Sequence, residues 1–250
     1  MTSQGSVASG ITTDDLVKVS RTKVVFGHQS VGMNVLDGVP GVYVAHGMAA
    51  PPIEQDGTRP GPDAGFVTHA FIGENEKPLL KIGDFDAKLR SGIGEQVDVA
   101  VMKLCYIDIM TSTDVGALLT RYRETIAALE RDFPKVTFVH VTVPLMTEQG
   151  SLSKLKSRLT GSDRGGPAEN AARERLNALI RRDYTGGHLF DLAAIESTAP
   201  DGSRATGTYQ GQLYYRLYGG YASDSGHLNG EGARAAATAW LQAIAQASPK

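Results

Sequence analysis

Ser30, Asp224 and His227 are the side chains whose types and surroundings could together carry out nucleophilic chemistry. Ser30 follows Lys23-Val24-Val25-Phe26-Gly27-His28-Gln29, a β-branched and aromatic run broken by a glycine. It precedes Val31-Gly32-Met33-Asn34, where an apolar pattern suited to a helix resumes. A strand, a sharp turn and a helix start put the hydroxyl at the carboxyl end of a strand, where the ligand crevice of an open parallel sheet forms. A serine hydroxyl is a weak nucleophile until a histidine takes its proton and a carboxylate orients that histidine. Near the other end, Ser223-Asp224-Ser225-Gly226-His227-Leu228-Asn229 offers such a pair in one short segment. Its spacing lets a loop or single turn set the carboxylate against one imidazole nitrogen while the other nitrogen faces the crevice. Plainer roles exist for the same residues: Ser30 could cap the following helix, and Asp224 with His227 could satisfy helix amides, with Asn229 as the cap.

The elements that must position these groups alternate along the chain. Strands are expected over residues 22–27, 66–72, 97–104, 136–143 and 188–192, the third and fourth apolar on both faces as central parallel strands require. Between them lie helical patterns: a short one from Val31 closed by Pro40, one reaching Leu89, one over Asp114–Phe133, one over Glu169–Tyr184, and an alanine-rich one ending at Ala247. The clearest is Asp114–Phe133, where Val115, Leu118, Leu119, Tyr122, Ile126 and Leu129 line one stripe. Thr13-Asp14-Asp15-Leu16 reads as a helix cap with an acidic first turn. Five strands alternating with helices predict an α/β fold in three layers, a parallel sheet covered on both faces. The expected organisation is a disordered lead over 1–12 and a single domain over 13–250. Two stretches read as excursions: 41–65, rich in Gly and Pro, and 147–167, polar, with Lys154, Lys156 and Arg158 on a short helix that could cover the site. Tyr209, Tyr214, Tyr215, Tyr218 and Tyr221 fall in an irregular aromatic segment.

Composition excludes several classes. The 250 residues carry a net charge of −2, without a basic stripe interleaved with aromatics, so nothing points to nucleic acid. No run reaches the ~18 apolar residues of a membrane-spanning helix. The single cysteine, Cys105, rules out an intrachain disulfide and reads as a small core residue. Met1–Gly10 lacks the basic start and apolar centre of a signal peptide. Either a cytoplasmic location or export after removal of a leader is compatible with it.

The Ser30 block and the Asp224-x-x-His227 block, in this order and spacing, resemble those of the SGNH (GDSL-type) hydrolase superfamily, over roughly Lys23 to Ala247. His28-Gln29-Ser30 stands where many members have Gly-Asp-Ser, and some carbohydrate esterases have Gly-Gln-Ser. The resemblance implies a five-stranded sheet of order 2-1-3-4-5 and ester hydrolysis through a Ser30–His227–Asp224 triad, with a short acyl group such as acetyl on a carbohydrate. It implies no metal or organic cofactor. The oxyanion of the tetrahedral intermediate needs donors. By resemblance these are the Ser30 amide, Gly73 after the second strand, and an asparagine after the third. The third block departs from the pattern: Leu104-Cys105-Tyr106-Ile107-Asp108 places Ile107 at the asparagine position. Asn75, two residues past Gly73, is the candidate replacement, against the plainer role of a turn asparagine. Acyl transfer with the same triad and a silent carbohydrate-binding or assembly module are the alternatives, and the oligomeric state is open.

Other residues invite roles of their own. His28 is read as a substrate-facing donor beside Gln29, against a histidine packed in the turn. His69, His140 and His188 are expected to be buried and hydrogen-bonded. Lys103, in an apolar strand, requires a partner, for which Asp108 is the candidate. Gly27 and Gly32 have P-loop spacing, but Met33-Asn34 replaces the phosphate-binding Lys-Ser/Thr. His28, Asp224 and His227 could in principle ligate a metal, but the sequence has no HxxxH or similar ligand pair on one element, so a metal is not expected.

Overall fold

The computed structural model describes residues 10–56, 64–148 and 166–249. Six parallel strands form the main sheet: β1 Lys23–His28, β2 Ile53–Gln55, β3 Phe66–Phe71, β4 Val99–Met102, β5 Thr137–Val141 and β6 Leu189–Phe190. Their order is β2-β3-β1-β4-β5-β6. The five strands expected from the sequence thus occur in the expected 2-1-3-4-5 order. The sixth, β2, is a correction: it lies within the 41–65 excursion and adds to the β3 edge, with Glu54 opposite Thr68. Three residues are too few to show a period of two, and chain pairing rather than local pattern makes this strand.

Side chains alternate across the central strands, and each face buries its own core. Val24, Phe26, Val99, Val101 and Val139 point to one side, against α1 (Thr13–Val19), α2 (Val31–Ala45) and α7 (Gly230–Ala247). Val25, Ala100, Met102 and Phe138 point to the other, against α3 (Pro78–Lys88), α4 (Val115–Asp132) and α5 (Pro167–Asp183). This is the three-layer α/β architecture. Asp114 caps α4, its carboxylate accepting from the Ala117 N–H at 2.9 Å, which satisfies an otherwise orphaned donor.

Three boundaries differ from expectation. Helix α2 runs through Pro40 to Ala45. Proline costs an interior helix a hydrogen bond, but Val39, Val42 and Tyr43 beyond it are buried in the core, and Gly38 lies so close to α7 that an added Cβ would come 2.4 Å from the Ala233 carbonyl. Tertiary packing overrides the local stop signal. At the start, Ile11 is buried and Thr12, not Thr13, caps α1 in a capping box with Asp15, so residues 10–12 belong to the fold; residues 1–9 lie outside those described. The tyrosine segment contains a hairpin, β7 Thr206–Tyr209 and β8 Gln212–Tyr215. Its two-residue turn, Gln210–Gly211, has φ of 48° and 80°, the handedness that suits strand twist. Before it, the short helix α6 (Leu192–Ser197) follows β6. The expected cover over 147–167 with Lys154, Lys156 and Arg158 falls almost wholly outside the described residues.

Among the described residues no helix is long and apolar enough to cross a membrane.

Candidate active site

The turn after β1 delivers Ser30 at the carboxyl edge of the sheet, next to the first residue of α2. Ser30 makes no capping hydrogen bond to the helix, so the plain cap role is not the one its side chain plays. Gln29 faces the β3 loop, where its amide donates to the carbonyls of Ile72 at 3.1 Å and Gly73 at 3.2 Å. A side chain of the Ser30 turn therefore ties that turn to the loop after β3.

His28 turns the other way, which corrects the substrate-facing role. It is 0% exposed, and its Nε2 lies 3.0 Å from Nδ1 of buried His69. As the last residue of β1 its side chain takes the inner face, and its ring fills the space over Gly32, where an added Cβ would come 2.3 Å from the imidazole. Burial, then the charge of Lys103, lowers the His28 pKa to about 3. Neutral His28 is a core group beneath the site. His140 is likewise buried and bonded, Nδ1 at 2.7 Å from the Tyr122 hydroxyl, whereas His188 is exposed, contrary to expectation, though its Nδ1 does lie 3.3 Å from the Phe138 carbonyl.

The last block has the geometry of an oriented base. Asp224 Oδ2 lies 2.7 Å from His227 Nδ1, while Oδ1 accepts the backbone N–H groups of Gly226 and His227, each at 2.8 Å. Burial acts to raise the Asp224 pKa, but the amide and imidazole hydrogen bonds outweigh it and hold the carboxyl below its ordinary value. The carboxylate thus favours the tautomer with the proton on Nδ1, which leaves Nε2 as the ring's acceptor nitrogen. A second bond holds this loop to the serine helix: the Leu228 N–H donates to Asn34 Oδ1 at 3.1 Å. Sequence reading did not find Asn34, because its partner is 194 residues away and an asparagine on a helix carries no local signal. Ser30 Oγ and His227 are not hydrogen-bonded to each other in the described structure.

The oxyanion candidates fall into two states. The Gly73 N–H donates to Asp84 at 2.9 Å and is engaged within the protein. Asn75 is exposed, and its Oδ1 accepts from Lys81 Nζ at 2.9 Å. An ammonium only donates, so this contact fixes the amide orientation and leaves Nδ2 as a donor. Lys81 is 0% exposed and also reaches both oxygens of buried Asp108, at 2.9 and 2.7 Å. Asp108 in turn accepts the Cys105 N–H at 2.6 Å and the Glu76 N–H at 2.9 Å. This one carboxylate binds the loop after β3 to the turn after β4. The pairing corrects the expected Lys103–Asp108 ion pair. Lys103, also 0% exposed, instead donates to the Leu104 carbonyl at 3.1 Å and lies 3.6 Å from Cys105 Sγ.

Among the described residues no group of three His, Cys, Asp or Glu side chains is arranged to hold a metal ion.

No protein-family model matches the sequence, and no curated protein matches it significantly. In fold the chain is similar to a Streptococcus pneumonia protein described as a candidate platelet activating factor, with a TM-score of 0.53 and 16% identity over 91% of this chain and 87% of that one. It is also matched to a candidate lipolytic protein of the G-D-S-L family from Desulfitobacterium hafniense DCB-2, at a TM-score of 0.46 and 10% identity, covering 89% and 99% of the two chains. The first likeness agrees with the strand order above: the chain has the three-layer α/β fold, with the strand order 2-1-3-4-5 plus an added edge strand.

Proposed function

We propose that the protein is a serine hydrolase of carboxylic esters, in which Ser30 attacks the acyl carbon. His227 Nε2 takes the Ser30 proton as the C–O bond forms and returns it to the departing alcohol. Water then attacks the acyl-serine with the same base, and the acid product leaves. Asp224 keeps the imidazole in the required tautomer and stabilises the imidazolium. The Ser30 amide and Asn75 Nδ2 supply the oxyanion donors, and the Gly73 amide joins them where Asp84 yields it. The observation that carries this reading is the oriented Asp224–His227 pair on a loop hydrogen-bonded through Leu228 to the helix that starts after Ser30. The partly exposed pair, with side chains 34% and 58% accessible for His227 and Asp224, suits an open crevice and a short acyl group such as acetyl on a carbohydrate.

Hydrolysis of p-nitrophenyl acetate and of a longer acyl ester, by wild type and by Ser30→Ala, tests the reading. Activity that favours the short ester and falls by several orders of magnitude in the variant supports it. Equal activity in the variant contradicts it. The engagement of Gly73 with Asp84 favours a second reading, a silent carbohydrate-binding module, which predicts sugar binding that survives Ser30→Ala and no turnover by wild type.

A further inference from the structure

The third block lacks an asparagine, yet the structure sets another donor-bearing side chain against the base. Tyr106 opens the turn after β4, and its ring meets His227 edge-on at 5.9 Å between centroids. On one side the ring covers Gly226: a Cβ there would lie 2.7 Å from Cε1 and Cζ and 3.0 Å from the hydroxyl oxygen of Tyr106. Only glycine allows the base loop to approach this phenol so closely. On another side buried Arg173 donates from Nε to the Tyr106 carbonyl at 2.8 Å, with its guanidinium 5.9 Å from the ring centre. Tyr106 is thus braced by the base loop and by α5. Its hydroxyl nonetheless has no hydrogen-bond partner among the described residues. Burial, then the nearby Asp224 carboxylate, pushes the phenol above its ordinary value, so at neutral pH it holds its proton and can donate.

We infer that the Tyr106 hydroxyl is a further catalytic hydrogen-bond donor to the ester, binding the developing oxyanion or the adjacent acyl oxygen alongside Asn75. The inference rests on the esterase reading above. A donor held in place before the reaction needs no reorganisation as charge develops, and its worth appears mainly in kcat. A ring that merely supported His227 would do so equally well as phenylalanine.

The test compares wild type, Tyr106→Phe and Ser30→Ala on p-nitrophenyl acetate across a pH series, with thermal unfolding as a check on folding. Expected for Tyr106→Phe are an unchanged unfolding midpoint, a kcat lower by roughly 10²-fold, a KM little altered, and an unmoved midpoint of the acidic arm of the pH–rate profile. If Tyr106→Phe keeps wild-type kcat while Ser30→Ala is inactive, the Tyr106 role is overturned and the esterase reading stands. A lowered kcat accompanied by a shifted pH midpoint also overturns it, since the phenol would then act through His227. A wild type inactive on both short and long esters overturns the esterase reading and this role together.

Discussion

Asn34 Oδ1 accepts the Leu228 backbone N–H at 3.1 Å, so the helix that begins after Ser30 holds the loop that carries His227. This contact spans the two ends of the chain. Asn34→Ala removes the acceptor and leaves the Leu228 N–H dependent on solvent. A hydrogen bond of this kind is worth about 1 kcal/mol in stability, whereas a 1 Å misplacement of a catalytic group can cost about 10²-fold. The expected outcome is a small loss in unfolding free energy with a disproportionate fall in kcat, measured by urea unfolding and ester hydrolysis on the same preparation. Losses that track each other, or no loss of kcat, would contradict the positioning role.

Lys81 and Asp108 form a buried pair at 2.7 Å, each side chain 0% accessible. Removing one partner of such a pair leaves an uncompensated charge and costs about 3–5 kcal/mol. Lys81→Met should therefore destabilise strongly in denaturant unfolding. Asn75→Ala, at the exposed end of the same network, should leave stability within about 0.5 kcal/mol and lower kcat by roughly 10² if Nδ2 is an oxyanion donor. A Lys81→Met protein as stable as wild type would show that the pair is not held as described.

Glu196 is 1% exposed, accepts the Leu145 N–H at 2.6 Å through Oε2, and leaves Oε1 without a partner among the described residues. Burial, outweighing the Leu145 amide and the charges of Lys103 and Arg173, raises its pKa to about 8. Because the folded pKa lies above the ordinary 4.5, the unfolded chain releases this proton first. Stability from Glu196 is complete below pH 4.5 and is lost as pH rises towards 8, by about 1.4 kcal/mol per pH unit. Glu196→Gln keeps an acceptor for Leu145 and removes the titration. Urea unfolding of the variant should fall less between pH 5 and 8 than that of wild type, and parallel profiles would refute the assignment.

On the acid side the sign reverses. Burial, with His188 adding to it, lowers the His140 pKa to about 3, so the unfolded chain takes up a proton below pH 6.5 while the folded one resists. Stability is complete above pH 6.5 and is lost as pH falls towards 3, again by about 1.4 kcal/mol per unit. His140→Gln offers the Tyr122 hydroxyl an acceptor without the titration. Its acid unfolding should begin at lower pH in a pH titration followed by circular dichroism.

The parallel strands were legible because a strand covered on both faces must be apolar on both, as Val99–Met102 and Thr137–Val141 nearly are. Three-residue β2 has no such pattern, and the continuation of α2 past Pro40 depends on Gly38 meeting Ala233 on a helix nearly two hundred residues away. The Asp224–His227 pair could be read because it is local. Lys81–Asp108 could not: Lys103 is nearer in sequence to Asp108, yet α3 brings Lys81 to it and leaves Lys103 among Leu104 and Cys105. His28 was misplaced because a side chain at a strand end can face crevice or core, and the His69 ring that settles it lies on another strand.

If Ser30 is a nucleophile activated by His227, a reagent specific for activated serines labels it. A fluorophosphonate, which reacts with activated serines, is incubated with wild type, Ser30→Ala and His227→Ala, and the adduct is mapped by peptide mass spectrometry. The expected result is a single adduct on the peptide containing Ser30, absent in Ser30→Ala and formed at least ~10²-fold more slowly in His227→Ala. An unlabelled wild-type Ser30, or labelling at the same rate without His227, would contradict it.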